Sequence, residues 1–184
     1  MRALDEAHAA AMEHAWSAFY AAYPPHDRPV IAVHREAVAA LVDGCAAVAV
    51  AGGHIGVLNE CMHLFNIGAV LGTRPMLAWS SGCMVVTERI MVIDDTDPGM
   101  RPDELYDSGI AAVRGLVPIA DPAVRLLARD PERLSLLARR CAPRMCVLLD
   151  SGDRVRWDER HLADLRGTRV LAPDGTIRRG AAAA

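Results

Sequence analysis

The stretch that decides the fold is LAWSSGC, residues 77–83. The apolar run at 76–79 predicts a strand, and Ser80 begins a sharp turn from that strand into a short helix. Such a turn holds its serine in a strained conformation and packs only beside small residues, which Ala78 and Gly82 supply. The stretch therefore predicts a nucleophile elbow, although Ala78 stands where an elbow normally has glycine. The alternative is that Ser80 only caps the helix that follows.

A second turn of small residues follows an earlier apolar run. Residues 45–51 are continuously apolar, which is typical of a parallel strand buried on both faces, and Gly52, Gly53 and His54 come directly after them. Two glycines let a ligand approach the backbone closely, or simply form a tight turn. His54 could contact an anion or polarise a carbonyl group. The alternative is that it only caps the next helix. Because ligands of parallel sheets bind at the carboxyl ends of strands, we expect this turn and the Ser80 turn to line one crevice.

The rest of the chain alternates predicted helices with predicted strands. Helices are predicted at 3–22, 34–42, 55–64 and 122–140, strands at 89–93, 110–119 and 145–149, a surface loop at 94–108, and a hairpin or pair of short strands at 152–180. Such alternation predicts an α/β fold with a parallel central sheet flanked by helices, followed by a C-terminal hairpin. We predict one domain over 1–180, made of an N-terminal helix (1–24), a core (28–150) and terminal strands (151–180).

Composition excludes several classes of function. The net charge is -3, and the basic residues, all of them arginine, are spread along the chain, which gives no footprint for nucleic acid. The absence of lysine excludes a Schiff-base lysine and a Walker-type phosphate loop. No apolar run reaches about 18 residues, so no membrane span is predicted. The start is acidic and unlike a signal peptide, and the five cysteines form no visible disulfide framework, which favours a reduced, cytoplasmic setting.

Other reactive side chains have plainer interpretations. Cys83 lies three residues after Ser80, and such a cysteine more often fills a core than acts as a nucleophile. Cys61 and His63, even with His54, make only a loose cluster, so we predict no metal site and no cofactor. The acidic residues within 94–107 could hold a cation or a basic partner, but a solvated loop is the favoured interpretation.

Taken together, residues 51–54, 78–82, 87–95 and 115–118 resemble the peptidase E and cyanophycinase family of serine hydrolases. More narrowly, the chain is similar to bacterial type 1 glutamine amidotransferase-like proteins, over residues 28–175. The resemblance implies a class I glutamine amidotransferase-like fold and a Ser–His–acid set that cleaves small peptides or isopeptides. It places the nucleophile on Ser80.

The resemblance also implies that backbone groups near Gly52, Gly53 and Ser81 contact the substrate oxygen. The family's catalytic histidine falls near Asp121, and no histidine occurs between His63 and His161. The family's third acidic residue falls on Ser151, next to Asp150. The chain begins with a helix, where relatives have additional strands.

These departures predict a peptidase E-like domain that has lost autonomous serine hydrolase activity. We expect a binding or subunit protein, a pseudoenzyme in a homo- or hetero-oligomer, in which a separate chain could supply the missing N-terminal strands. A small peptide or amino-acid-like compound is the expected ligand, with no nucleic acid and no membrane as partner. The alternative is a divergent serine hydrolase or acyl-transfer enzyme that uses Ser80 with a base from His54 or from a partner chain. A metal or cofactor site at His54, Cys61, His63 or the acidic loop ranks third.

Overall fold

The computed structural model describes residues 2–93, 104–126, 130–158 and 161–180. Its helices are α1 (Arg2–Ala22), α2 (Pro29–Asp43), α3 (Ile55–Leu64), α4 (Ile67–Leu71), α5 (Ser81–Val85), α6 (Pro122–Arg125) and α7 (Pro131–Cys141), with a 3-10 turn at Pro25–Asp27. Its strands are β1 (Val48–Val50), β2 (Met76–Ala78), β3 (Ile90–Val92), β4 (Glu104–Asp107), β5 (Leu116–Ala120), β6 (Met145–Leu149), β7 (Arg156–Asp158), β8 (His161–Asp164), β9 (Arg169–Leu171) and β10 (Ile177–Arg179).

The strands form several small sheets, and parallel pairing occurs in two of them. β1 lies parallel to β2, and β5 lies parallel to β6. On the other side of β6 lies β9, which is antiparallel to it, and β10 lies antiparallel to β9. β9 and β10 form the predicted C-terminal hairpin. β3 pairs with β4 and β7 with β8, both antiparallel. The α/β prediction is thus confirmed in its coarse form: within the described residues the parallel strands are divided between two sheets.

The core lies around β5, β6 and the helices that pack on them. All five residues of β5 are buried, and the amphipathic α7 packs on β6 and β9 through its buried Leu134 and Leu137. A neighbouring cluster joins Val50 of β1 to Met84 and Val85 of α5. Removal of this apolar surface from water is the main force that holds the elements together. None of the described helices is long and apolar enough to cross a membrane.

The expectation that the strand at 45–51 is buried on both faces is wrong. β1 is shorter, at Val48–Val50, and its central Ala49 is exposed opposite Leu77 of β2, whose side chain is 66% exposed. Alternate residues of a strand point to opposite faces. The helices pack on the face of the β1–β2 sheet that carries Val50. The opposite face, which carries Ala49 and Leu77, is not covered by any of the described residues.

Two further predictions also need correction. The single helix at 122–140 is wrong, because α7 starts anew at Pro131, with Asp130 as its cap. The Asp130 carboxylate accepts hydrogen bonds from the Glu132 and Arg133 N–H groups, and proline is well suited to a first helical position. The loop predicted at 94–108 is wrong over Glu104–Asp107, which is β4, and its part at 94–103 lies outside the described residues.

The helix predicted at 3–22 is confirmed as α1, and the one at 34–42 is α2, which begins earlier, at Pro29. α1 packs on β4 and α7. Trp16 donates its indole N–H to Asp107 at 3.3 Å, and Arg140 donates two hydrogen bonds to the buried Asp5, at 2.8 and 2.9 Å. Several apolar side chains of α1, including Phe19, remain exposed, so polar contacts carry much of its attachment.

We predict that Asp5→Asn lowers the free energy of unfolding by about 1.5–3 kcal/mol, because Arg140 loses a charged acceptor. The Arg140 hydrogen bonds lower the pKa of Asp5. The stabilisation is therefore present above the unfolded carboxyl pKa, about 3.9, and disappears as the pH falls through the lower folded value. Urea denaturation at several pH values measures this. Glu6→Gln, in the exposed pair with Arg2, is the control and changes stability by less than about 0.5 kcal/mol.

Candidate functional site

The turn predicted at Ser80 is present and strongly bent. Ser80 connects β2 to α5 with φ 54° and ψ −136°, a conformation that residues with a Cβ rarely adopt. Such a conformation costs about 1–3 kcal/mol and persists only where the surrounding structure enforces it. The Ser80 side chain accepts no capping hydrogen bond from α5. Ser80 therefore occupies the N-cap position of α5 without capping it through its side chain, and its backbone has the strained geometry expected of an elbow.

Two glycines make the bend possible by allowing close backbone contacts. A Cβ on Gly82 would overlap the Val50 carbonyl oxygen, so α5 can approach β1 only because residue 82 has no side chain. A Cβ on Gly52 would lie 2.6 Å from Ser80 Cβ and 2.7 Å from Ser80 Oγ. The two turns therefore pack against each other, with the backbone of Gly52 in contact with the side chain of Ser80.

Cys83 supports the turn rather than competing with it as a nucleophile. Its thiol donates to the Ser80 carbonyl oxygen at 2.8 Å. Burial raises the pKa of Cys83 to about 12, with a smaller contribution from the negative charge of Asp121. The thiol is therefore protonated at neutral pH, and a protonated thiol is a weak nucleophile.

The two turns lie side by side, because the parallel register of β1 and β2 places the carboxyl ends of both strands at the same edge. Ser81 Oγ donates to the Gly53 carbonyl oxygen and accepts from the Gly53 N–H, both at 2.8 Å. The Gly53 N–H is thereby occupied within the protein. The Ser81 N–H, at the start of α5, makes no hydrogen bond to other described residues, so it is the better placed of the two to contact a ligand oxygen.

His54 lies at the start of α3 and has a structural role there. Its Nδ1 accepts a hydrogen bond of 3.4 Å from the Val57 N–H, so a neutral ring carries its proton on Nε2. The ring lies beside Gly56, and the Tyr106 hydroxyl lies 2.5 Å from the position that a Cβ on Gly56 would take. Sequence reasoning missed Tyr106 because it assigned residues 94–108 to a loop. The adjacent apolar pair Leu105 and Tyr106, between two acidic residues, is too short a pattern to predict a strand.

Asp121 lies just after β5, next to the strand's contact with α5. It adopts the left-handed conformation (φ 52°, ψ 52°) and is exposed, and its side chain makes no capping hydrogen bond to α6. Its charge acts on Cys83, one helical turn from Ser80. The position assigned to the family histidine thus lies on the same side of the molecule as the elbow.

The hydroxyl of Ser80 has no hydrogen-bond partner in the part of the chain that the structure describes. Neither His54 nor Asp121 is bonded to it. His54, Cys61 and His63 do not come together as a ligand set, and the described residues hold no group of three His, Cys, Asp or Glu side chains arranged for a metal. The site therefore consists of an exposed serine on a strained turn.

Comparisons of the chain with protein-family models, with curated proteins and with solved structures find no match. The interpretation of the site depends on its own geometry.

We predict that Gly82→Ala lowers the free energy of unfolding by about 1–3 kcal/mol or more, because the added methyl group overlaps the Val50 carbonyl oxygen. Gly53→Ala is the matched control. A Cβ there meets nothing within 4 Å, so its effect stays within about 1 kcal/mol. Chemical denaturation of both variants measures the difference, and equal stabilities would contradict the close approach of α5 to β1.

We also predict that Ser80→Gly is more stable than Ser80→Ala by about 1 kcal/mol. Both variants remove the hydroxyl, but only glycine adopts φ 54° and ψ −136° without steric strain. Glycine loses more backbone entropy on folding than alanine does, so the relief of strain at residue 80 has to exceed this cost for Ser80→Gly to be the more stable variant. Thermal and urea unfolding of the pair provide the measurement, and a more stable alanine variant would show that the turn is unstrained.

Proposed function

We propose that the chain is a peptidase E-like domain, with a class I glutamine amidotransferase-like arrangement, that binds a small peptide or amino-acid-like ligand at the Ser80 turn without hydrolysing it on its own. The observation that carries this proposal is the combination at Ser80: the strained elbow conformation is present, and the hydroxyl lacks a base among the described residues. Strain of this kind is characteristic of functional positions.

The ligand class follows from the two polar groups of the turn that have no hydrogen-bond partner among the described residues. The Ser80 hydroxyl can donate or accept one hydrogen bond, and the Ser81 N–H can donate another. Two such groups on adjacent residues suit the oxygen of a carbonyl or carboxylate. In an active elbow the same backbone N–H helps to stabilise the oxyanion. Peptides and amino acids carry oxygens of this type.

The absence of hydrolysis follows from the missing proton acceptor. A serine hydroxyl is a weak nucleophile until a neighbouring base takes its proton, and loss of one triad member slows the reaction by about a thousandfold or more. His54 Nδ1 is occupied by the Val57 N–H. Asp121 is exposed to solvent and makes no hydrogen bond to the Ser80 hydroxyl, so it is not positioned to take its proton.

The second candidate is a serine hydrolase or acyl-transfer enzyme whose base comes from a partner chain. The uncovered Ala49–Leu77 face favours it, because Trp79, which is 52% exposed, continues that surface up to Ser80. A chain packed there would lie next to the hydroxyl. A homo- or hetero-oligomer is therefore part of the proposal. The five cysteines are all unpaired, which supports a cytoplasmic location.

A fluorophosphonate probe tests the proposal, since it reacts with activated serines. We expect the purified wild-type chain to be labelled no more than Ser80→Ala, with Ser81→Ala as a control for the neighbouring hydroxyl. Intact-protein mass spectrometry measures the labelled fraction.

Stoichiometric labelling that Ser80→Ala abolishes would overturn the proposal in favour of the second candidate. Labelling that then disappears in His54→Gln would assign the base to this chain. Labelling that rises with protein concentration would assign it to a second copy.

A further inference from the structure

A group of charged side chains lies where α1 and α7 approach the start of β3, and we call it the arginine cluster. It contains Arg89, Arg114, Arg140, Arg144, Asp5 and Glu88. None of these residues belongs to the Ser80 turn.

Both carboxylates of the cluster are already paired. Asp5 accepts two hydrogen bonds from Arg140. Glu88 accepts from the Gly115 N–H at 3.0 Å and from Arg144 Nε at 2.7 Å. Burial alone raises the pKa of Glu88, but these hydrogen bonds lower it overall, so the carboxylate is ionised at neutral pH. Each negative charge is thus held by a group other than Arg89.

Arg89 is the cation that these pairs leave without a counter-ion. Arg89 is only 8% exposed. Its guanidinium makes no hydrogen bond or ion pair with any residue in the described ranges. The Arg89 nitrogens are not fully shielded from solvent, so part of the guanidinium reaches the surface. Burial, together with the charge of Arg144, lowers the pKa of Arg89 by more than the charges of Asp5 and Glu88 raise it.

A nearly buried charge without a counter-ion destabilises a protein, and buried charges are normally paired or bind an ion. We propose that Arg89, with Arg144 beside it, binds an oxyanion group, either the phosphate or the carboxylate of a small molecule. The five N–H donors of a guanidinium form a planar fork that matches two oxygens of such a group. The bound anion would provide the negative charge that Asp5 and Glu88 give to other arginines.

Titration with inorganic phosphate, and separately with succinate, tests this at constant ionic strength set with chloride. Melting temperature and calorimetry are the readouts. We expect at least one of the two anions to stabilise the wild-type protein, and the stronger one identifies the oxyanion. Arg89→Met, which keeps the apolar stem, is expected to weaken that binding about tenfold to a hundredfold. Arg154→Met, at an exposed arginine elsewhere, is expected to bind as the wild type does.

The variant also has a distinctive expected effect in the absence of phosphate and succinate. Arg89→Met should then melt at the same temperature as the wild type or higher, because it removes an uncompensated charge. A lower melting temperature would show that Arg89 has a stabilising partner within the chain, and would overturn the proposal. Equal stabilisation of wild type and Arg89→Met by the anions would do the same, since it indicates a general salt effect. Arg89→Lys keeps the charge without the fork and is expected to bind more weakly than the wild type, so equal binding would also count against the proposal.

Discussion

The close contact between the Val50 carbonyl and α5 is the constraint on which the rest of the site depends. That carbonyl oxygen accepts a hydrogen bond from the Trp79 N–H at 3.2 Å and lies directly against Gly82. The first contact keeps β2 beside β1, and the second brings the helix onto the end of the same strand. Between these two contacts the chain has a single connecting turn, so Ser80 is forced to positive φ. The strained serine is therefore a consequence of packing on both sides of it.

The local part of this arrangement could be predicted from the sequence, because it depends on neighbouring residues. The apolar run before Ser80 and the small residues around it define the turn. Likewise α3 and β6 have the predicted bounds, at Ile55–Leu64 and Met145–Leu149, since each combines a clear apolar pattern with clear end signals. Where the pattern was uninterrupted but a proline followed an aspartate, as at Pro131, the prediction of one long helix was wrong.

The contacts around the candidate site and the arginine cluster join residues far apart in the chain, and local sequence patterns do not predict them. The open face of β1 at Ala49 depends on which helices pack on the sheet, and the apolar run at 45–51 is equally compatible with one cover or two. The position of Tyr106 beside Gly56 depends on β3–β4 pairing. The arginine cluster likewise depends on the pairing of Asp5 with Arg140, which are separated by 135 residues.

The elbow and its chemistry are separable for a physical reason. The bend at Ser80 is maintained by glycines and backbone contacts within three short segments, and it needs no base to form. A base must be delivered by another element, and in this chain the nearest prediction, His54, is held at the start of α3 by its own capping hydrogen bond. A serine elbow can therefore form without a neighbouring proton acceptor. The exposed Leu77 and Trp79 lie beside that surface, so one partner could bury this apolar patch and reach Ser80 from the same side.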